Sequence, residues 1–360
     1  MLKTLGAQIK EFKKDSFLTP VFMILEVLME TIIPLMMASI IDNGVEAGDI
    51  HHIYVMGGCM VIVACISLFA GTMGGKYGAR ASAGFARNLR KAMYENIQTF
   101  SFSNIDKFST AGLVTRLTTD VTNLQNAYQM LLRMCVRAPI SLICAMIMAF
   151  FINARLASVY LIAVIVLGMI LAIITVRAHH YFMEVFPKYD DLNASVQENV
   201  SAIRVVKAYV REDYEKKKFT QASKNIYNMF VKAEGVLAFN SPVMQIAVYS
   251  CIIALSWLGA KMIVAGSLTT GELMSLLTYC MNIMMSLMML SMVFVMLAMS
   301  IASAERICEV LNEKSDITNP ENPVYEVADG SVTFDHVTFR YNKTSDKPIL
   351  DDVNLSIRSG

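Results

Sequence analysis

The sequence predicts an all-α polytopic membrane domain with six elongated transmembrane helices, followed by the first β-strands of an α/β domain. The 360 residues are 55% hydrophobic and only 17% charged, whereas soluble proteins have about 25% charged residues. The apolar residues cluster in six segments, each near or above the ~20 residues that a helix needs to cross a bilayer. These segments are roughly 17–41, 53–75, 134–152, 156–176, 236–260 and 273–304. After residue 330, apolar and polar residues alternate as they do in a strand.

Basic residues are distributed unequally between the two sides of the predicted spans. The external connections are short, and together they contain only Arg155 and Lys261 among the 31 Lys and Arg residues. The other basic residues lie on the opposite side, in the N-terminus, the two long connections and the C-terminal part, or at Arg137 in the third span. Because connections rich in Lys and Arg stay in the cytoplasm, both termini are predicted to be cytoplasmic.

Composition excludes several classes of protein. The net charge is +1, so no overall field attracts nucleic acid. None of the seven cysteines forms a CxxC pair and six lie in apolar segments, which argues against a disulfide scaffold or a metal site. The first apolar run lacks a small-residue cleavage site, so it is a retained span and not a signal peptide. No arrangement of residues predicts a catalytic site.

The two cytoplasmic connections, 76–133 and 177–235, are long but helical in character. Residues 76–101 contain no proline, and residues 192–234 contain neither glycine nor proline. Such stretches predict continuous helices, which extend the spans beyond the membrane by ~1.5 Å per residue.

Two local patterns predict contacts inside the helical domain. The second span carries small residues at every fourth position, including Gly71 and Gly75, which lets another helix approach closely. Arg116 and Asp120 are spaced i,i+4, which predicts an ion pair on one helix face. Both patterns predict packing and not chemistry.

The chain is predicted to contain an amphipathic cytoplasmic segment, a transmembrane domain with two long cytoplasmic helical extensions, a linker and the incomplete start of a further domain. These regions are 1–16, 17–311, 312–330 and 331–360. The last region holds two alternating stretches, Ser331–Tyr341 and Asp352–Ile357, which predict two strands. Since two strands alone make no stable domain, they are expected to begin a larger one.

Four stretches carry a resemblance to a known family. They are Val-Thr-Phe-Arg-Tyr at 337–341, Pro-Ile-Leu-Asp-Asp-Val-Asn-Leu-Ser-Ile-Arg-Ser-Gly at 348–360, and the cytoplasmic stretches 108–120 and 198–212. Together with the six spans, they resemble a half-transporter of the ATP-binding-cassette (ABC) exporter family over the whole chain. Within that family, the sequence looks most like a subunit of the bacterial heterodimeric multidrug exporters.

The resemblance implies an exporter that moves amphipathic or hydrophobic compounds, such as drugs or lipids, out of the cytoplasm by alternating access. It implies a dimer with a second half-transporter in the bilayer of the bacterial plasma membrane, with a heterodimer favoured. ATP and Mg²⁺ are the implied cofactors of the complete protein, and Tyr341 stands where the family has the aromatic ring that stacks on adenine. An ordinary strand tyrosine is the alternative.

One departure from the family concerns the phosphate loop, G-x-x-x-x-G-K-[ST]. In the family this loop would follow Gly360, and it does not occur within the 360 residues. We therefore expect this chain not to hydrolyse ATP alone and to be a fragment of a longer protein. A truncated scaffold or binding subunit without a motor, and a peptide or lipid exporter of the same family, are the alternatives.

The resemblance also implies two coupling helices, at Ser103–Ser109 and Tyr209–Glu215. In the family, such helices lie at the far tips of the cytoplasmic extensions and rest against the nucleotide-binding domains. The expected contact residues are Asp106, Phe108, Tyr209, Arg211 and Glu212, with Phe108 and Tyr209 as apolar contacts. The alternative is that both segments are solvated helix tips.

The sixth span is rich in methionine. Met285, Met288, Met292 and Met296 belong to one stripe along the predicted helix. Unbranched thioether chains repack easily and suit a surface that accepts many apolar shapes. Because the sixth span lines the substrate cavity in the family, the resemblance implies substrate contact. A surface that faces lipid or another helix is the alternative.

Glu26 and Glu30 lie inside the first apolar segment. At 1.5 Å per residue they are about 14 and 20 Å from its start at Phe17, and their i,i+4 spacing puts them on one face. Intramembrane carboxylates are costly and usually face a protein interior or a water-filled cavity. Two interpretations are open: a structural hydrogen bond to Arg137 of the third span, or a negative cavity lining that favours cationic amphipathic substrates.

Overall fold

The computed structural model describes residues 1–315, 317, 321–323, 325–326, 329–340 and 348–359, except for the side chains at 106, 179, 182, 183, 186, 187, 190, 294, 295, 298 and 299. In chain order the α-helices are α1 (Leu2–Gly6), α2 (Lys13–Ser39), α3 (Ile50–Ile97), α4 (Phe102–Phe108), α5 (Thr110–Thr115), α6 (Val121–Ile152), α7 (Ala154–Ser201), α8 (Ile203–Ala208), α9 (Glu212–Ala238), α10 (Asn240–Val264) and α11 (Thr270–Asn312). Residues Ala7–Phe12 form a 3₁₀ helix, and Ile40–Glu46 and Arg116–Asp120 are π-helical turns.

Six helical stretches of the described chain are long and apolar enough to cross a membrane. Each overlaps one of the six predicted apolar segments, so the prediction of six elongated spans is confirmed. The stretches are Leu2–Glu46, Ile50–Ile97, Thr110–Ile152, Ala154–Ala178, Glu212–Val264 and Thr270–Val293. A short connection between the third and fourth of them is fixed by Asn153, whose Oδ1 accepts hydrogen bonds from the backbone amides of Arg155 and Leu156 in the first turn of α7.

The second long connection, residues 177–235, contradicts the prediction of an uninterrupted helix. Helix α7 ends at Ser201 and α9 begins at Glu212, with the six-residue helix α8 between them. Val210 has a φ of 50°, which lies outside the helical region. The predicted tip helix Tyr209–Glu215 is therefore wrong, because this segment is a turn followed by the start of α9. Neither glycine nor proline marks the breaks, so composition does not signal them.

The described chain divides into two compact units. Unit one comprises Met1–Leu18, Lys76–Met130 and Val295–Gly360, and unit two comprises Thr19–Gly75 and Leu131–Phe294. In unit two, α6, α7, α10 and α11 enclose a hydrophobic core that includes the fully buried Tyr160 and Tyr279. The Tyr160 hydroxyl donates to the carbonyl of Leu276 at 2.8 Å, so this buried polar group is satisfied.

Unit one has a separate core built from α3, α6 and the end of α11. Leu89, Val121 and Ile307 are fully buried there. Leu5 of the N-terminal segment joins this core, and the Phe12 ring lies against Gly84 in the space that a Cβ would occupy. The N-terminal residues are therefore packed into the unit that also holds α4 and the end of α11.

The two predicted strands are present as an antiparallel pair, β1 (Val332–Phe339) and β2 (Leu350–Ile357). Their register matches Val332 with Ile357 and Phe339 with Leu350, with two irregularities between these ends. His336 and Asp352, both with positive φ, lie at the irregular part. The predicted fold class, a helical membrane domain followed by initial β-strands, is confirmed.

Candidate functional site

Three charged side chains of unit two meet between the first and third spans. Arg137 on α6 donates from Nη1 to Glu26 Oε1 at 2.5 Å, and from Nη2 to the two oxygens of Glu30 at 3.0 and 2.9 Å. Glu26 and Glu30 are one helical turn apart on α2, so a single guanidinium reaches both. The structure therefore contains the Arg137 bond that the structural interpretation of these carboxylates predicts.

Gly71 on α3 provides the space for this cluster. A Cβ at position 71 would lie 3.0 Å from Glu26 Oε1 and 3.1 Å from its carboxyl carbon. At Gly75, one turn further along the same helix, a Cβ would meet nothing within 4 Å. Of these two small residues predicted to allow close helix approach, Gly71 is the one that borders the charged cluster.

The cluster has more negative than positive groups. Two carboxylates face one guanidinium, and Glu26 Oε2 is buried with no hydrogen-bond partner among the residues described. The Glu26 side chain is 13% exposed, whereas that of Glu30 is 43% exposed. A buried polar atom without a partner costs free energy, so this site can accept a hydrogen-bond donor or a cation.

The predicted methionine stripe lies on an exposed face of α11. Met285, Met288, Met292 and Met296 are 67%, 54%, 60% and 36% exposed. Met284, by contrast, is 1% exposed and belongs to the core of unit two. Helix α11 thus packs through one face and presents methionine on another, as a substrate-contacting or a lipid-facing surface requires.

The first predicted coupling segment is a helix, α4. It begins with a capping box in which the backbone amide of Ser101 donates to Asn104 Oδ1 at 3.0 Å. The expectation that Phe108 projects as a contact is not met: its ring is 6% exposed, stacks on Phe100 and is covered by the Arg116 guanidinium. The side chain of Asp106 lies outside the described residues.

Three ion pairs in unit one join the end of α11 and the residue after it to the first long connection, residues 76–133, and we call them the ionic ladder. Arg306 and Glu309 lie on α11, and Glu313 follows its last residue with its amide still bonded to the Glu309 carbonyl, so the i, i+3 and i+7 spacing puts all three on one face. The pairs are Arg306 with Asp120 at 2.8 Å, Glu309 with Arg116 at 2.9 Å and Glu313 with Lys107 at 2.7 Å. In every pair one side chain is largely buried and the other is exposed.

The ladder corrects the predicted pairing of Arg116 with Asp120. Both residues lie in a π-helical turn, and the described structure pairs each of them with a residue of α11 and not with the other. Asp120 is 1% exposed and accepts hydrogen bonds from Arg306 and from the Ser303 hydroxyl. Arg116 instead reaches Glu309 and the carbonyl of Arg306.

Glu313 is a polar residue that sequence reasoning missed. Lys107 Nζ donates to one of its oxygens at 2.7 Å and Asn104 Nδ2 donates to the other at 2.8 Å. Because both donors favour the charged carboxylate, first Lys107 and then Asn104, they hold the pKa of Glu313 below its usual value. The spacing of charges at the end of α11 signals a pairing face, but it does not identify the partners.

The turn between α8 and α9 brings together the other expected coupling residues. The Tyr209 side chain is 75% exposed, and Val210, which sequence reasoning missed, is 80% exposed. Arg211 lies over the Tyr214 ring at 6.0 Å, and Glu212 pairs with Lys207 at 3.0 Å. The turn therefore presents two neighbouring apolar side chains beside charged groups, outside any core of unit two.

The nucleotide side of the predicted function falls largely outside the described residues. Tyr341, which is expected to stack on adenine, is not among them. In the part of the chain that the structure describes, no group of three or more His, Cys, Asp or Glu residues could hold a metal ion.

Comparison with known proteins identifies relatives along nearly the whole chain. Residues 16–288 match the family model described as the ABC transporter transmembrane region. The "Uncharacterized ABC transporter ATP-binding protein YfiB" of Bacillus subtilis is 30% identical over 338 residues, which cover 94% of this chain and 59% of the relative. The chain thus spans about three fifths of the length of that relative.

Two more distant relatives have names that describe a transported compound. The "Probable multidrug resistance ABC transporter ATP-binding/permease protein YheI" of Bacillus subtilis is 28% identical over 59% of this chain and 36% of the relative. The "ATP-dependent lipid A-core flippase" of Syntrophus aciditrophicus is 24% identical over 85% of this chain and 49% of the relative.

Proposed function

The chain belongs to the ABC transporter family as a half-transporter of the exporter type, and from this premise we propose that it moves amphipathic or hydrophobic compounds out of the cytoplasm by alternating access. The observation that carries the proposal is the match of residues 16–288 to the ABC transporter transmembrane region. The names of the multidrug and lipid A-core relatives support amphipathic substrates. A lipid or peptide exporter of the same family is the second candidate, since one of these relatives is named as a flippase.

The functional unit in this proposal is a dimer in the bacterial plasma membrane, with both termini in the cytoplasm. A second half-transporter is the partner, and a heterodimer is favoured by the sequence resemblance. ATP binding and hydrolysis in the complete protein would supply the free energy for alternating access. Tyr341, which in the sequence is two residues beyond the last residue of β1, is the residue of this chain proposed to stack on the adenine.

The cytoplasmic contacts in this proposal are made by α4 and by the turn between α8 and α9. Tyr209 and Val210 are exposed apolar side chains at that turn, and Arg211 and Glu212 form its charged margin. Contacts made by these two segments at the ends of long helices would transfer a rigid-body movement to the spans. Phe108 would act indirectly, because its buried ring anchors α4 within unit one.

The substrate surface in this proposal consists of the methionine face of α11 and the carboxylates of α2. The excess negative charge around Arg137 and the unpartnered Glu26 Oε2 favour a cationic amphipathic compound over a neutral one. The half-exposed Glu30 is the carboxylate that such a compound would reach first. In the purely structural interpretation the two carboxylates only bind Arg137. That interpretation predicts no difference in transport between cationic and neutral compounds.

The test uses the full-length protein with its partner half-transporter in lipid vesicles. ATP-driven transport is measured for a cationic dye and for a neutral dye of the same shape. For Glu30→Gln, we expect cationic transport to fall about fivefold, the factor that loss of ~1 kcal/mol of charge attraction gives, while neutral transport holds. If Glu30→Gln lowers the transport of the cationic and the neutral dye equally, the structural interpretation is supported. If wild-type vesicles show no ATP-driven transport of any amphipathic compound, the proposed function is contradicted and a scaffold is favoured.

A further inference from the structure

The end of α11 is fastened to α4 by one carboxylate. Both oxygens of Glu313 are occupied, one by Asn104 Nδ2 at 2.8 Å and the other by Lys107 Nζ at 2.7 Å. Asn104 and Lys107 are three residues apart on α4, so a single carboxylate bridges one face of that helix. Hydrogen bonds to charged groups are stronger than neutral ones, so the charge of Glu313 strengthens both of its bonds to α4.

The backbone at the end of α11 is held by the same neighbourhood. Asn96, in the last turn of α3, donates from Nδ2 to the carbonyls of Val310 and Glu313 at 2.7 and 2.9 Å. Asn104 also donates to the carbonyl of Lys314 at 3.2 Å. The last carbonyls of a helix have no partner within that helix, so side chains of α3 and α4 satisfy the acceptors with which α11 ends.

Hydrogen bonds hold helix α4 in place on the side that faces Glu313. Asn104 is 5% exposed, and its Oδ1 accepts from the Ser101 amide in the capping box while its Nδ2 reaches Glu313. Phe108 anchors the other end of α4 in the core of unit one. A displacement of α4 therefore displaces the chain at Glu313 and Lys314, which lie at the start of the predicted linker at 312–330.

We propose that Glu313 is a positioning residue that makes α4 and the entrance to the linker move as one body. The inference rests on the proposed function, in which α4 meets a nucleotide-binding domain and the linker leads to the domain that begins at β1. Movement of a motor domain would then reach this half-transporter through a contact and through the covalent chain at the same time. Glu313 makes the movement received at α4 and the movement received through the linker coincide, so that the two do not act on the spans separately.

The experiment compares Glu313→Gln with a matched control in the full-length protein and its partner in lipid vesicles. The control is Glu95→Gln, which removes the exposed pair with Lys91 on α3 in the same unit. Transport and ATP hydrolysis are measured in the same vesicles. For Glu313→Gln, we expect ATP hydrolysis to continue while transport per ATP falls about threefold or more, the size of known coupling effects; Glu95→Gln should match wild type.

Exchanging the charges of Lys107 and Glu313 distinguishes a positioning role of this pair from a general effect on stability. Lys107→Glu and Glu313→Lys should each lower transport per ATP, and the double variant should recover at least about half of the loss if the charge pair is responsible. No recovery in the double variant, or equal loss of transport and hydrolysis in Glu313→Gln, overturns the inference while the proposed function stands.

A second measurement does not depend on transport. Hydrogen exchange at the amides of α4 should accelerate in Glu313→Gln and stay unchanged in Glu95→Gln, because the first variant releases α4 from the end of α11. Unchanged exchange in Glu313→Gln overturns the inference. If wild type shows this protection but drives no transport, the proposed function has failed and the role of Glu313 in coupling fails with it, although the contact itself is verified.

Discussion

Asp120 accepts two hydrogen bonds from the guanidinium of Arg306, although 186 residues separate the two in the sequence. The carboxylate is 1% exposed and belongs to the π-helical turn that precedes α6. A π-helical turn places side chains where an α-helix would not, and such turns often occur at functional positions. Here the turn directs Asp120 and Arg116 to different residues of α11, and so it builds two of the three pairs in the ionic ladder.

Loss of the Asp120 carboxylate should destabilise unit one. In Asp120→Ala, the Arg306 side chain loses its partner, but it is 45% exposed and can be hydrated. We therefore expect a loss of about 1–3 kcal/mol in the free energy of unfolding, measured as a lowered Tm in detergent. Asp213→Ala is the control, since that side chain is 99% exposed beside Lys216 and should change stability by less than about 0.5 kcal/mol. Similar Tm values for the two variants would contradict the assigned pair.

A methyl group at Gly71 should disturb the intramembrane cluster. In Gly71→Ala the new Cβ lies 3.0 Å from Glu26 Oε1, so the carboxylate must shift from Arg137. We expect a Tm lower than that of Gly75→Ala, where the new Cβ meets open space and alanine improves helix propensity by up to ~1 kcal/mol. The two variants differ by one turn on the same helix, so an equal Tm for both would show that Gly71 is not needed to accommodate Glu26.

The two kinds of methionine on α11 should respond differently to truncation. Met284 is buried in the core of unit two, so Met284→Ala should cost about 2–5 kcal/mol of stability. Met288 is exposed on the methionine face, so Met288→Ala should leave the Tm nearly unchanged and should alter which compounds stimulate transport. The check is a Tm together with a transport profile over compounds of different size; an unaltered profile for Met288→Ala assigns this face to lipid.

Truncation of Phe108 and of Tyr209 should have different effects, because Phe108 has a structural role and Tyr209 a coupling role. Phe108→Ala removes a buried ring from the core of unit one, which should cost about 3–5 kcal/mol and reduce the yield of folded protein. Tyr209→Ala removes a side chain that is 75% exposed, so stability should hold while transport per ATP falls. Measured Tm values and transport ratios distinguish them, and strict proportionality of transport and hydrolysis in Tyr209→Ala would remove the coupling assignment.

Acid should weaken the bond between Glu313 and Lys107. The pKa of Glu313 is lowered in the folded state by Lys107 and Asn104, whereas the unfolded value is near 4.3. The stabilisation is therefore fully present above about pH 4.3 and is lost as the pH falls through the lower folded value. The Tm difference between wild type and Glu313→Gln should be constant from neutral to mildly acidic pH and shrink below it. A difference that persists at the lowest pH would mean that the charge of Glu313 contributes nothing.

The sequence by itself determined the six spans, their elongation and the two strands. Transfer of apolar residues into a bilayer is favourable residue by residue, so the length of an apolar segment predicts a span without knowledge of its neighbours. The partner of Glu26 and Glu30 was also predictable. Charges inside a membrane are few and costly, and Arg137 is the one basic residue within the six apolar segments.

Only the tertiary structure decided the pairs of the ionic ladder, the burial of Phe108 and the breaks between α7 and α9. Outside the apolar segments, many carboxylates are possible partners for Arg116. Which of them pairs with it depends on a local π-helical turn and on how α11 packs beside that turn. Helix propensity likewise predicts a continuous helix through Tyr209, because it measures only local preference, and the positive φ of Val210 is visible only in the structure. Pairings between segments far apart in the chain depend on where the folded backbone brings the segments together. Hydropathy and residue spacing are local properties, so they do not predict which distant segments meet.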